Sequence, residues 1–120
     1  MTDSKQNNQE LERRMLLFAA CVIRKLDDTK GLSPKIADQL VRSSSSIGAN
    51  YAEANNASSR MDFRNKVFIS KKEAAETRYW IDLVIELTAD NSWKSCRQEA
   101  HELLMVLQAI INTLKESSSK

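Results

Sequence analysis

The side chains best suited to chemistry in this sequence are two strips of polar residues on neighbouring segments. They are Arg42, Ser46, Asn50 and Glu53 in the first segment and Glu73 and Glu76 in the second. Spacings of three and four positions place each strip on one side of a helix. If the strips face each other, Arg42 pairs with a carboxylate while Ser46 and Asn50 satisfy the remaining polar groups. The pattern predicts a structural polar network that fixes how the two helices align.

The same carboxylates allow a catalytic interpretation, in which Glu53, Glu73 and Glu76 hold a divalent metal as in helical nucleotide hydrolases with paired Glu-x-x-Glu motifs. Glu73-x-x-Glu76 is one half of such a site, and no second half follows. The Glu-x-x-His pair of di-iron bundles is absent because Gln98 stands three residues before His101. We predict no enzymatic activity, no metal and no cofactor, with a metal-dependent nucleotide hydrolase as the remote alternative.

A row of basic side chains runs along the segment from residue 60 to residue 78. Its members are Arg60, Arg64, Lys71 and Arg78, and their spacings of 4, 7 and 7 align them along one edge of a helix. This row, the basic edge, suits the phosphate backbone of RNA or DNA. The alternative is a solvated face neutralised by Glu73, Glu76 and Asp82. No RNA-recognition motif or zinc module accompanies the row, so base-specific recognition is not predicted.

Composition indicates the scaffold that carries these side chains. A chain of 120 residues can form one modest core, and 2 glycines and 1 proline are few for a protein of strands and turns. The net charge is only +2, and no apolar run approaches the ~20 residues that span a bilayer. The polar N-terminus lacks a secretory signal, and Cys21 and Cys96 form neither a metal spacing nor a disulfide framework. We expect a cytoplasmic protein with reduced thiols.

Hydrophobic periodicity predicts four helices, at about 9–29, 34–56, 60–88 and 93–116, with frayed termini. Ser33 and Ser59 are the predicted N-caps of the second and third helices, and Ser92 or Ser95 that of the fourth. Short connections favour antiparallel neighbours. The sequence therefore predicts an all-α fold, a single antiparallel up-and-down four-helix bundle over residues 1–120.

The stretch VRSSSSIGANYAEANN decides between one bundle and two tethered modules. A run of serines usually marks a flexible linker. However, Leu40 and Ile47 stay in helical phase on both sides of the run, and Ser43 and Ser44 fill the gap between them. A linker has no reason to keep that phase. We predict that the serines are helical and that their small side chains let another helix approach closely.

The third helix carries a second apolar sector, formed by Ile69, Trp80, Leu83 and Leu87. On an ideal helix these residues lie more than about 90° from the main apolar stripe. A helix of an isolated bundle needs one stripe, and monomers rarely expose large apolar patches. We predict that the second apolar sector is an interface between copies of the chain. A broad core face is the alternative.

A dense pattern runs through the second and third helices. Its residues are Arg42, Ser43, Ser46, Ile47, Asn50, Ala52, Glu53 and Ala54, followed by Ser59, Asp62, Phe63, Ile69, Ser70, Glu73, Ala74, Glu76, Thr77, Tyr79 and Trp80. The pattern resembles the signature of the small bacterial four-helix-bundle proteins encoded in intervening sequences of large-subunit ribosomal RNA genes. The other two helices are similar to that family in length and pattern.

The resemblance implies a bundle that assembles into a ring-like homopentamer. It also implies kinship with the accessory proteins of diversity-generating retroelements, which are basic pentamers thought to engage nucleic acid and a reverse transcriptase. The implied partners are further copies of the chain, RNA or DNA, and a reverse transcriptase. Our leading hypothesis is a non-enzymatic homo-oligomer that binds the RNA backbone through the basic edge. The alternative is a protein-interaction scaffold with no nucleic-acid role.

Overall fold

The computed structural model describes residues 2–118, with side chains from residue 6 to residue 116. Within that range the chain is helical and has no strand, so the predicted all-α class is confirmed. The elements are α1 (Thr2–Asp27), α2 (Pro34–Asn55), α3 (Arg60–Thr88) and α4 (Lys94–Ser118), and a short 3-10 turn, Asn91–Trp93, precedes α4. None of these helices has the length and apolarity needed to cross a bilayer.

The predicted starts of α2 and α3 are confirmed because each carries a capping serine. Ser33 Oγ accepts a hydrogen bond from the Lys35 amide at 3.3 Å, and Ser59 Oγ accepts one from the Asp62 amide at 3.0 Å. These bonds satisfy amide groups that the helix itself leaves without partners.

The prediction for α1 was wrong at its start, which is Thr2 instead of a position near residue 9. Apolar periodicity begins only at Leu11, so it could not detect the polar first turns. One of those turns is tied to α2, since the Tyr51 hydroxyl donates to Asn8 Oδ1 at 3.2 Å. The frayed C-terminal tail was also predicted to begin too early, because α4 continues to Ser118. Residues 1, 119 and 120 lie outside the described part.

The four helices pack in chain order, and α1 also contacts α4, so they close a square. Paired positions show that α1 and α4 are antiparallel: Arg14 meets Glu99, whereas Lys25, farther along α1, meets Ser92. The predicted up-and-down four-helix bundle is therefore confirmed.

All four helices contribute to one core. Its largest fully buried apolar side chains are Met15, Val22, Leu40, Ile47, Tyr51, Val67, Ile81, Val84, Trp93, Leu103, Leu107 and Ile111. Every helix thus buries one stripe of its surface against the other three, which is the arrangement that amphipathic helices of this length favour.

The serine run is helical, as predicted, and it brings α2 close to α3. Ser43 and Ser44 are fully buried. The Ser43 hydroxyl shares a hydrogen bond of 2.9 Å with Thr77 of α3, and Ser70 donates to the carbonyl oxygen of Ile47 at 2.7 Å. Small side chains and paired hydroxyls therefore form the interior contact between these two helices.

The passage from α3 to α4 differs from the prediction. Ala89 ends α3 in the left-handed conformation, with φ of 56°, and Asp90 Oδ1 then accepts a hydrogen bond from the Ser92 amide at 3.0 Å. Neither Ser92 nor Ser95 caps α4, because Asp90 caps the intervening 3-10 turn instead. That turn delivers Trp93 into the core, where its indole nitrogen donates to Thr29 Oγ1 at 3.2 Å.

Candidate functional site

Arg42 lies at the centre of the polar contact between α2 and α3. Its Nη1 lies 2.9 Å from Glu73 Oε2, and its Nη2 pairs with Glu76. The Glu73 side chain is only 10% exposed, and this arginine is its cationic partner across the contact. Glu76 also accepts a hydrogen bond from the indole nitrogen of Trp80 at 3.0 Å, a contact that the sequence analysis missed.

The structure does not bring the other predicted members of the polar network into this contact. Ser46 donates to the carbonyl oxygen of Arg42 at 2.6 Å, and Asn50 donates to that of Ser46 at 2.9 Å. Both side chains thus bond one turn back along their own helix, where a free carbonyl lone pair is always in reach. Glu53 pairs instead with Lys66 of α3, at 3.2 Å.

These pairings bear on the nucleotide-hydrolase alternative. Its three carboxylates, Glu53, Glu73 and Glu76, are each bound to a cationic side chain of this chain. Among residues 2–118 there is no group of three His, Cys, Asp or Glu residues placed to hold a metal ion. The described residues therefore offer that alternative no set of ligands.

Three members of the basic edge have side chains without an acidic partner among the described residues. Arg60 is exposed, Lys71 is half-buried, and the Arg64 guanidinium lies 5.7 Å from the ring centre of Phe68. The fourth member, Arg78, is held against α4: its Nη1 lies 2.8 Å from Nδ1 of His101. Because a guanidinium only donates, His101 Nδ1 accepts this bond.

The carboxylates that were expected to neutralise the basic edge bind other arginines. Glu73 and Glu76 pair with Arg42 of α2, and Asp82 pairs with Arg97 of α4 at 2.5 Å. None of these three carboxylates therefore forms an ion pair with a member of the basic edge.

The second apolar sector is divided between solvent and the bundle. Leu87 is 60% exposed and Ile69 is 41% exposed, whereas Trp80 is half-buried and packs against the core. Tyr79 and Met61 are also exposed on the outer side of α3, and the sequence analysis did not assign them to this surface. The rings of Tyr79 and Trp80 meet edge to face, with centres 5.5 Å apart.

A groove of about 940 Å³ runs between α1 and α2 on the outside of the bundle. Small residues line much of it, among them Ala19, Ser45, Gly48, Ala49 and Ala52. Leu16 stands beside them with its side chain exposed. The sequence did not predict this groove. The groove forms where two helices meet, and the apolar periodicity of a single helix does not reveal it.

Proteins similar to this chain are found both by sequence and by structure. A sequence model described as 23S rRNA-intervening sequence protein matches residues 4–112. A solved structure from Bacteroides thetaiotaomicron VPI-5482, described as a protein with unknown function from the S23 ribosomal protein family, is similar with a TM-score of 0.78. The two sequences are 32% identical, and the match covers 88% of this chain and 97% of that one. No curated protein matches the chain.

Proposed function

Since the chain belongs to the family of 23S rRNA-intervening sequence proteins, we propose that it is a non-enzymatic, self-associating bundle that binds the phosphate backbone of structured RNA. Neither the family description nor that of the solved relative names an enzymatic activity. The observation that carries the proposal is the basic edge. Its carboxylate neighbours bind Arg42 and Arg97, which leaves the cations of Arg60, Arg64 and Lys71 available to phosphates.

Self-association rests on two apolar surfaces of different shape. Exposed side chains of the second apolar sector, Ile69 and Leu87, project from α3, whereas the groove between α1 and α2 is concave and lined by small residues. A closed ring with an odd number of subunits needs two different patches on every subunit. A second copy that inserts its α3 side chains into this groove supplies both, and a homopentamer is the ring that we propose.

Such an assembly leaves the basic edge accessible. The edge lies on the α4 side of α3, where Arg78 contacts His101. The second apolar sector lies on the other flank, where Trp80 bonds to Glu76 and Glu76 pairs with Arg42 of α2. Repetition of the basic edge around a ring multiplies its field, which offsets the small net charge of +2 on each chain.

The experiment that tests this function measures binding of an RNA hairpin and a DNA duplex across a salt series, with absolute mass recorded in the same buffer. The test variant replaces Arg60, Arg64 and Lys71 by glutamine. We expect at least a tenfold loss of affinity and a shallower salt dependence, by about 0.7 to 0.9 for each phosphate contact removed.

A charge-matched control replaces Lys30, Lys35 and Lys115, which are exposed and lie off the basic edge, by glutamine. This control should bind almost as the wild type does. Equal losses in both variants would show that overall charge, and not the basic edge, sets the affinity. Absence of RNA and DNA binding at low salt, by an intact oligomer, would instead favour the protein-interaction scaffold.

A further inference from the structure

The line along which α1 meets α4 carries a feature that the bundle and its surfaces leave unexplained. Arg14 and Glu99 form a bidentate ion pair there, in which Arg14 Nε and Nη2 lie 2.8 and 2.7 Å from the two carboxylate oxygens. Lys25 Nζ donates to Ser92 Oγ at 2.5 Å. Between these two contacts, Cys21 Sγ of α1 lies 4.0 Å from Cys96 Sγ of α4. The flanking contacts fix the alignment of the helices, and that alignment places the two thiols opposite each other.

We propose that Cys21 and Cys96 form a modification site, at which a hydroperoxide converts the two thiols into an intramolecular disulfide that joins α1 to α4. The sequence pattern does not predict this pair, because the two residues are 75 positions apart, and both were expected to be reduced thiols. The proposal does not depend on self-association or on RNA binding.

The geometry needs only a small movement. A disulfide has an S–S length of about 2.05 Å, so the sulfur atoms must approach by about 2 Å. Cys21 is exposed and lines a groove of about 500 Å³, beside Arg13 and Leu17, which leaves its side chain room to move. Cys96 is buried and held in place by the core. An exposed sulfur with free space around it therefore lies beside a buried sulfur, and the groove that both residues line gives the bond room to form.

The difference in exposure sets the order of the two steps. The Cys21 thiolate reaches the hydroperoxide first: an S–O bond forms, the O–O bond breaks, and the sulfur loses two electrons to become a sulfenic acid. The leaving oxygen departs as hydroxide or alkoxide and takes up the thiol proton. Cys96 then attacks the Cys21 sulfur, the S–S bond forms, the S–O bond breaks, and water leaves with the Cys96 proton. Two thiols and one hydroperoxide thus give one disulfide, one water and one further water or alcohol.

The electrostatic surroundings are consistent with this order. Burial and, to a smaller extent, the neighbouring Cys21 raise the pKa of the Cys96 thiol to about 11, although Lys25 of α1 opposes the shift. Cys96 is therefore largely protonated at neutral pH, which makes it a poor first target for an oxidant. Its nearness to Cys21 lets it act in the second step.

The test treats the purified full-length protein with a small excess of hydrogen peroxide. We expect the intact mass to fall by two hydrogen atoms and a peptide pair linked through Cys21 and Cys96 to appear after proteolysis. The disulfide closes a loop that spans most of the bundle, so the Tm should rise by about 10 °C and return to its starting value with dithiothreitol.

Two variants separate the steps. Cys96→Ser should stop at the sulfenic acid, which dimedone traps as an adduct on Cys21. Cys21→Ser, an exposed substitution that leaves the core intact, should neither react nor change its Tm on the same time scale. Disulfide-linked dimers as the main product, oxidation of the wild type without the internal link, or equally fast oxidation of Cys21→Ser would each overturn the proposal.

Discussion

The ion pair between Arg42 and Glu73 joins α2 to α3 through a carboxylate that is almost completely buried. A carboxylate that is 10% exposed has lost most of its water, and the arginine replaces that water with a charge-assisted hydrogen bond. The pair between Arg97 and Asp82 has the same chemistry, but both of its side chains are more than 40% exposed. The two pairs therefore differ in how much stability is lost when the arginine is removed and the carboxylate has no cationic partner.

We predict that Arg42→Met lowers the free energy of unfolding by about 2 kcal/mol, because it leaves the Glu73 carboxylate unpaired in a contact that water hardly reaches. This value is below the cost of breaking a fully buried pair, since Arg42 itself is 47% exposed. Arg97→Met, the matched control, should cost less than about 1 kcal/mol. Urea unfolding measures both. Equal losses would mean that water reaches Glu73 once the arginine is gone.

The sequence predicted the partner of Arg42 but not those of its neighbours, for a reason that acts at single residues. An arginine is long enough to leave its own helix, so a facing strip of glutamates was a good indication of its partner. Ser46 and Asn50 are short, and their nearest acceptors are the carbonyl groups one turn back. The spacing of polar residues along a helix therefore predicts the partners of long charged side chains better than the partners of short polar ones.

Helices α1 and α2 approach each other closely at Gly48. A Cβ atom added at Gly48 would lie 3.2 Å from the Cβ of Met15, closer than carbon atoms normally pack. Glycine is unfavourable inside a helix by roughly 1 kcal/mol relative to alanine. Its presence in the middle of α2 is explained by the space that α1 occupies.

We predict that Gly48→Val destabilises the protein by about 1 to 3 kcal/mol, because the branched side chain must push α1 away. Ala109→Val is the matched control, since Ala109 is an exposed residue of α4 that lies outside both apolar surfaces. It should cost no more than about 0.5 kcal/mol, the propensity difference alone. Thermal unfolding compares the two, and similar losses would show that α1 yields easily at this crossing.

The elements themselves were largely predictable, except where they depend on distant parts of the chain. Capping serines and the phase of Leu40 and Ile47 were local signals, and they correctly placed α2 through the serine run. Trp93 was different. It stands before the apolar stripe of α4, and its burial depends on Thr29, which lies 64 positions away. Neither the 3-10 turn nor this contact leaves a periodic pattern to detect.

The second apolar sector and the groove between α1 and α2 are two exposed surfaces of the folded protomer. Trp80 was predicted to lie in an interface, together with Ile69, Leu83 and Leu87. The structure shows that Trp80 also packs against the core and bonds to Glu76, so its substitution would disturb the protomer itself. Leu87 is 60% exposed, so its substitution tests the surface without disturbing the core of the protomer.

We predict that Leu87→Glu reduces the mass in solution from that of the proposed homopentamer, about five times the 13.6 kDa of the chain, to that of a single chain, with helicity retained. The reason is that the new charge would have to be buried in the interface. Met105→Glu on α4 is the control, because Met105 is 54% exposed and lies outside both surfaces. Light scattering measures the masses. An unchanged mass for Leu87→Glu would place the interface elsewhere.

The closed square of helices has a consequence for how the chain is made. Synthesis delivers α1 first and α4 last, yet these two helices are neighbours in the finished bundle. While the ribosome is still adding α4, the core lacks Trp93, Leu103 and Leu107, and the inner stripe of α1 has no cover on one side. A nascent chain therefore carries an exposed apolar stripe until α4 has been made. A chain that stalls on the ribosome before residue 93 keeps this apolar stripe exposed, and chaperones and proteases recognise such surfaces.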